Sequence, residues 1–205
     1  MNVYKTQLEN GLLQLHLSLS ETQQIKLLDY LTLLQKWNRA YNLTAITALD
    51  KMISYHLLDS LSIAPYLTGD YLVDVGSGAG LPGIPLAVFY PEKSFTLIDS
   101  VGKKTRFMQH AVRALDLANV TVVQSRAESY QPEKPFDTMM ARAVGPMDEL
   151  VDIATHLLHA NGKLLLMKAD ASEESLAASH EVFTLSVPGI EGKRSLMVVS
   201  VIGNR

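Results

Sequence analysis

The sequence predicts an α/β fold, a mostly parallel seven-stranded sheet closed by an antiparallel hairpin and preceded by a helical extension. Three observations predict it. Apolar residues recur at helical spacing up to Gly69-Asp70, short apolar strands then alternate with helix-compatible stretches, and the last two strands are separated only by a short polar link. Alternating strands and helices mark parallel βαβ units. Strands joined by a short link pair antiparallel, because a parallel crossover needs about a dozen residues or more. A helical cap over 1–69 and a second domain over 70–205 are therefore expected.

Leu8, Leu12, Leu15 and Leu19 are spaced for a first helix. Ser20-Glu21-Thr22-Gln23 reads as a capping box, in which the Ser and Gln side chains satisfy each other's backbone N–H groups. It opens a second helix with Ile25, Leu28, Leu31 and Leu34 at helical intervals. A third helix runs from Asp50 to Tyr66, with Ile53, Leu57, Leu61 and Ala64 as its buried stripe. Strands are expected at Tyr71–Val75, Ser94–Ile98, Val120–Gln124, Asp137–Ala141 and Lys163–Met167, with helix-compatible stretches in the gaps between them. Val182–Val187 and Ser195–Ile202 form the closing hairpin around Pro188-Gly189. This ending departs from the dinucleotide dehydrogenases and matches the Rossmann-like methyltransferases.

Composition narrows the function classes. With 205 residues, 47% of them apolar and 19% charged, the chain can bury a core and is not an extended disordered one. The absence of cysteine excludes disulfides, cysteine-based zinc sites and every thiolate nucleophile. No metal site is expected. The opening residues lack the apolar core of a signal peptide, and no apolar run approaches the roughly 18 residues of a membrane span. A soluble, cytoplasmic protein is expected, and a monomer, since no heptad seam is exposed. The net charge of −3 does not favour nucleic-acid binding, so any such site has to be a local patch. Lys103, Arg106, His110 and Arg113 share one helix face and permit such a patch, although a basic face is usually just solvated.

The chemistry concentrates after the first strand. Leu72-Val73-Asp74-Val75-Gly76-Ser77-Gly78-Ala79-Gly80 runs an apolar strand into alternate glycines, then into Leu81-Pro82-Gly83-Ile84-Pro85. Glycines there allow a tight turn and close approach of a ligand to the backbone. A dinucleotide fingerprint needs a glycine where this chain has Leu81, so a nicotinamide oxidoreductase is disfavoured. Asp74 suits a ligand carrying an ammonium group, such as the methionine end of S-adenosylmethionine; a structural turn with a helix-capping acid is the alternative. Asp99 ends the second strand, where an acid accepts hydrogen bonds from ribose hydroxyls. Together the turn and this acid indicate an adenosine cofactor. Ser125-Arg126-Ala127-Glu128, after the third strand, would lie along the adenine, although Glu128 reads equally as a solvated helix-start acid.

The fourth strand ends in Ala141-Arg142-Ala143-Val144-Gly145-Pro146, facing the transferred methyl group in such a fold. It lacks the acid-Pro-Pro-aromatic pattern of exocyclic-amine methylation, and cytosine C5 methylation needs an absent cysteine. Guanine N7 remains, an acceptor with a lone pair and no proton to lose, so alignment can carry the catalysis. Arg142 then holds a phosphate, guanine O6 or the cofactor, or it makes a surface ion pair. Trp37-Asn38-Arg39-Ala40-Tyr41-Asn42-Leu43-Thr44 crowds aromatics and amides that stack on bases or plug the core. His56, Asp59 and Ser60 share a helix face, but no nucleophile elbow accompanies them, so lining the cofactor pocket or satisfying buried polar groups is the better reading.

These segments closely resemble the bacterial 16S ribosomal RNA guanine-N7 methyltransferases, the glucose-inhibited division protein B family, over nearly the whole chain. The resemblance rests on Lys36-Trp37-Asn38 with Tyr41-Asn42-Leu43-Thr44, and on His56-Leu57-Leu58-Asp59-Ser60. It continues through the string from Asp74 to Pro85, Asp99-Ser100 with Gly102-Lys103-Lys104, Ser125 to Glu128, and Arg142-Ala143. It implies a Rossmann-like class I S-adenosylmethionine-dependent methyltransferase in which Gly76, Leu81, Ala127, Glu128 and Arg142 contact the cofactor. With the residues read above, the expected cofactor set is Asp74, Gly76, Ser77, Gly78, Gly80, Leu81, Asp99, Ala127, Glu128 and Arg142, with Arg142 also catalytic. The implied substrate is a guanine in 16S ribosomal RNA of the small subunit or its assembly intermediate. Val144 stands where the family commonly has an aromatic residue. A small-molecule methyltransferase and a non-catalytic binding module of the same cofactor are the alternatives.

Overall fold

The computed structural model describes residues 2–142, 145–169 and 179–201. Seven strands form one sheet in the order β3-β2-β1-β4-β5-β7-β6. They are β1 (Tyr71–Val75), β2 (Ser94–Asp99), β3 (Val120–Gln124), β4 (Phe136–Arg142), β5 (Leu158–Lys168), β6 (His180–Leu185) and β7 (Arg194–Ser200). The first five are parallel, and β7 pairs antiparallel with both β5 and β6. The expected sheet and closing hairpin are present. The last expected strand reached Ile202, which lies outside the described residues, as do Ala143 and Val144 after β4.

Side chains alternate across the sheet with period two, so each strand feeds two cores. Leu72, Met140, Leu165 and Val198 face one side; their neighbours Val73, Met139, Leu164 and Met197 face the other. The second side is covered by α7 (Met147–Leu157) through Leu150, Ile153, Ala154 and Leu157. The first is covered by α5 (Gly83–Phe89) and α6 (Gly102–Ala114), and beyond them by the N-terminal helices in the same continuous core.

Those helices are α1 (Asn2–Gln14) and α2 (Glu21–Tyr41), followed by α3 (Leu49–Met52), a π-helical turn (Ile53–Leu58) and α4 (Asp59–Leu61). Several expectations need correction here. The first helix stops at Gln14 and does not extend to Leu19: His16 is left-handed (φ 56°), and the Leu17 N–H reaches back to the Leu12 carbonyl, which closes the helix end. Leu19 is buried from the linking segment. The capping box at Ser20 and Gln23 is formed, but the buried stripe of α2 is Leu27, Tyr30, Leu31 and Leu34, with Ile25 45% exposed. Tyr30 wins because its ring fills the core while its hydroxyl donates to the Ala79 carbonyl at 2.8 Å. The third expected helix keeps its buried stripe but is divided by the π turn and ends in a 3₁₀ turn, Ala64–Tyr66. Between β3 and β4 only a 3₁₀ turn, Ala127–Ser129, replaces the expected helix.

Candidate active site

A cavity of about 770 Å³ opens at the carboxyl ends of the parallel strands, where ligands of wound α/β sheets bind. Its floor is the glycine turn. Gly76, Gly78 and Gly80 all have positive φ (68°, 60° and 86°), which costs an L-residue strain but not glycine. A β-carbon at Gly78 would meet nothing closer than the Gly76 carbonyl at 3.9 Å, so the backbone there is open to close approach. The Gly76 and Ser77 amides are tied to the Ile98 carbonyl of β2, which fixes the turn against the next strand.

Asp99 at the end of β2 is 5% exposed and lines this cavity. One oxygen accepts from the Gly78 amide at 2.9 Å and the other from the Val101 amide at 2.8 Å, while Lys104 Nζ lies 3.5 Å away. A carboxylate oxygen has two lone pairs, so Oδ1, which among the described residues has only the Val101 amide as donor, keeps capacity for a ribose hydroxyl. Ala127 and Glu128, on the turn after β3, form another part of the wall, with Ile98, Leu150 and Ile153 adding apolar surface.

Across the cavity, Arg142 ends β4. Its Nη1 donates to the Tyr55 carbonyl at 3.0 Å and to Asp59 Oδ2 at 3.1 Å. Asp59 also faces a second guanidinium, with Arg194 Nε 3.3 Å from Oδ1. Arg194 reaches this edge because β7 is antiparallel, so its first residue lies where the parallel strands end. Tyr55, His56 and Asp59 come from the π turn and the start of α4 and line the same wall. Such π turns are frequent at functional sites. His56 is 3% exposed; Nε2 lies 3.0 Å from Thr44 Oγ1, and among the described residues buried Nδ1 has no hydrogen-bond partner. Burial, reinforced by the Arg142 charge, pushes its pKa down to about 4, so the ring is neutral at physiological pH.

Of the residues expected from the sequence, Gly76, Ser77, Gly78, Leu81, Asp99, Ala127, Glu128 and Arg142 line this one cavity. Asp74 and Gly80 are not in its wall. Asp74 Oδ2 instead accepts the Gly83 amide at the start of α5 at 2.9 Å, and among the described residues no hydrogen-bond partner reaches buried Oδ1. Burial pushes the Asp74 pKa up to about 7, against the pull of the Gly83 hydrogen bond. Ser60 is fully buried and donates to the His56 carbonyl, so the three polar residues of that helix face do not act as a triad. Sequence reasoning missed Arg194 and the pairing of Asp59 with two arginines. No periodicity signals either, because their meeting depends on strand order.

Taken together, an open glycine floor, a half-engaged carboxylate at the end of β2 and a cation at the end of β4 fit an adenosine ligand with a zwitterionic tail, as S-adenosylmethionine is. Comparison with known proteins agrees. A family model described as rRNA small subunit methyltransferase G matches residues 23–197. A ribosomal RNA small subunit methyltransferase G of Coxiella burnetii is 51% identical over 195 residues, covering 94% of this chain and 96% of that one. A relative of the same name from Marinobacter nauticus is 48% identical over 203 residues, covering 95% and 94%. Among solved structures, a SAM-dependent methyltransferase of Aquifex aeolicus superposes with a TM-score of 0.55 at 16% identity, covering 71% of this chain and 91% of that one. That likeness carries the fold alone. Near half identity from end to end carries more: the chain belongs to the rRNA small subunit methyltransferase G family, and with it to the S-adenosylmethionine-dependent methyltransferases.

Proposed function

We propose that this protein methylates N7 of a guanine in 16S ribosomal RNA, acting in the cytoplasm as a monomer on the small subunit or its assembly intermediate. The observation that carries the choice of N7 is how the cavity's buried basic groups are engaged. Asp59 is ion-paired with two arginines, Asp99 accepts from two backbone amides, and His56 has its pKa pushed down to about 4. Glu128 and Glu149 face solvent. An acceptor that must lose a proton needs a base with a pKa near the working pH; N7 needs none.

When bound, S-adenosylmethionine supplies a methyl group on a sulfonium centre. Gly76, Ser77, Gly78 and Leu81 would hold it from below, Asp99 would take the ribose, and Ala127 with Glu128 would flank the adenine. Asp74 would act behind the turn, fixing the start of α5, and Gly80 would let the turn close. Arg142, held by the Tyr55 carbonyl and Asp59, would fix the charged tail or the guanine O6 so that acceptor and methyl group align. The helical segment 1–69 would serve as a cap on the 70–205 domain, a reading supported by Leu43, Thr44, Ile46 and His56 in the cavity wall. The cytoplasmic reading follows from the substrate class, and among the described residues no helix is long and apolar enough to cross a membrane. The monomer reading is supported by the scatter of exposed apolar side chains such as Leu13, Ile25, Tyr71 and Val182 over different elements.

The test is direct: small subunits from a strain lacking the protein, incubated with purified enzyme and S-adenosylmethionine, should gain one 7-methylguanosine in 16S ribosomal RNA. Label arriving on another atom, or on small molecules without RNA, would reject the proposal.

A further inference from the structure

The charges of this chain are unevenly placed. Residues 30–49 and 100–115 hold six of its 18 Lys and Arg residues (Lys36, Arg39, Lys103, Lys104, Arg106 and Arg113) and none of its 21 acids. The rest of the chain is strongly acidic, which is why the net charge of −3 hides the asymmetry. The two stretches are adjacent in space. Trp37 of α2 lies 5.7 Å from Phe107 and 5.2 Å from His110 of α6 by ring centroids. Lys103 Nζ donates to the Tyr41 carbonyl at 2.8 Å and ties the start of α6 to the end of α2.

Arg39, Lys103, Arg106 and Arg113 are exposed. Among the described residues no carboxylate lies within ion-pair distance of any of them. Tyr41 is 40% exposed and stacks on Trp37 at 5.2 Å and 29°, so a rigid ring stands among the cations. This face leads to the cavity, because Leu43 and Thr44 follow Tyr41, and Val101 and Lys104 flank Lys103, in the cavity wall. The opposite bank carries Glu128 and Glu149, with Arg126 beside Glu128.

We propose that this acid-free face is the docking surface for the RNA strand that carries the target guanine. Its phosphates lie against Arg39, Lys103 and Arg106, an unpaired neighbouring base stacks on Tyr41, and the target nucleotide enters past Leu43 and Val101. Alternating cations and a flat ring match alternating phosphates and bases, and the acidic bank repels the backbone from the other side. The inference rests on the RNA substrate proposed above and adds where that RNA lies.

The experiment measures KM for unmodified small ribosomal subunits at several salt concentrations, together with S-adenosylhomocysteine affinity by calorimetry. The triple variant Arg39→Ala, Lys103→Ala, Arg106→Ala should raise KM by about tenfold or more and lower the slope of log KM against log salt by about 2, since each lost phosphate contact removes roughly 0.7–0.9. Its S-adenosylhomocysteine affinity should stay within about twofold, because none of the three residues lines the cavity. Tyr41→Ala should weaken KM by roughly tenfold, and Tyr41→Phe should retain it because a ring suffices. Unchanged KM and slope in the triple variant would overturn the docking face while leaving the methylation reaction standing. A raised KM with an unchanged slope would also overturn it, pointing to a protein contact on the subunit. No methylation of subunits by the wild-type enzyme would reject the proposed function first, and this inference with it.

Discussion

Arg142 owes its position to groups on other elements. Its Nη1 is spent on Tyr55 and Asp59, which leaves the rest of a planar fork for the ligand. Arg142→Ala should therefore lose charged hydrogen bonds worth about 1.5–3 kcal/mol, read as a roughly tenfold to hundredfold loss in S-adenosylhomocysteine affinity by calorimetry. Arg142→Lys should not restore it, because an ammonium cannot hold both partners and still present a fork. His56 leads to a different expectation. With its pKa near 4, it does not titrate where the enzyme works. The single-turnover rate at saturating RNA and cofactor should be nearly flat from about pH 6 to 8.5. His56→Asn should leave that rate within about an order of magnitude. A steep rise with pH that disappears in the variant would demand a base and exclude N7.

At the scale of elements, the turn between β1 and α5 joins site and stability. Gly83 opens α5 against β2: a β-carbon there would collide with the Leu97 side chain and come within 2.8 Å of Asp74 Oδ2. Both neighbours are fully buried and cannot yield cheaply. Gly83→Ala should cost about 1–3 kcal/mol by overpacking, measured as a lower urea midpoint at unchanged m-value. The glycines and the strand-end acid were legible in the sequence because a turn of this kind is local, written in consecutive residues. The boundaries of α1 and the stripe of α2 were not. Leu15 and Leu19 continue the helical spacing past the helix end at Gln14, and choosing Tyr30 over Ile25 required knowing that Ala79 offers it an acceptor.

At the scale of the whole molecule, two buried titratable groups oppose each other in pH. Asp74, with its pKa raised to about 7, keeps its proton in the folded state where the unfolded chain has lost it. Its stabilising contribution is full below pH 4 and is lost as pH rises to about 7. His56, lowered to about 4, works in reverse: its contribution is present above about pH 6.5 and is lost as pH falls towards 4. Between roughly pH 4 and 6.5 the two trends offset. Asp74→Asn keeps the acceptor for Gly83 but removes the titration, so its stability relative to wild type should improve as pH is raised from 5 to 7.5. Urea unfolding of both proteins at the two pH values measures that difference, and a constant gap would show that Asp74 is ionised throughout.

The sequence by itself determined the parallel sheet, the antiparallel closing hairpin, the glycine turn, Asp99 and the acid-free stretches of α2 and α6. Each is a property of neighbouring residues: a period, a spacing, or the length of a link that is too short for a crossover. Only the tertiary structure decided that Asp59 holds Arg142 and Arg194 together, that Asp74 turns inward to Gly83, and that Tyr41 stands beside Lys103. These pairings join residues 9 to 135 positions apart. Strand order and the antiparallel run of β7 bring Arg142 and Arg194 to the same end of the sheet beside Asp59, and the packing of α2 on α6 brings Tyr41 to Lys103; no local pattern records which of these segments will meet.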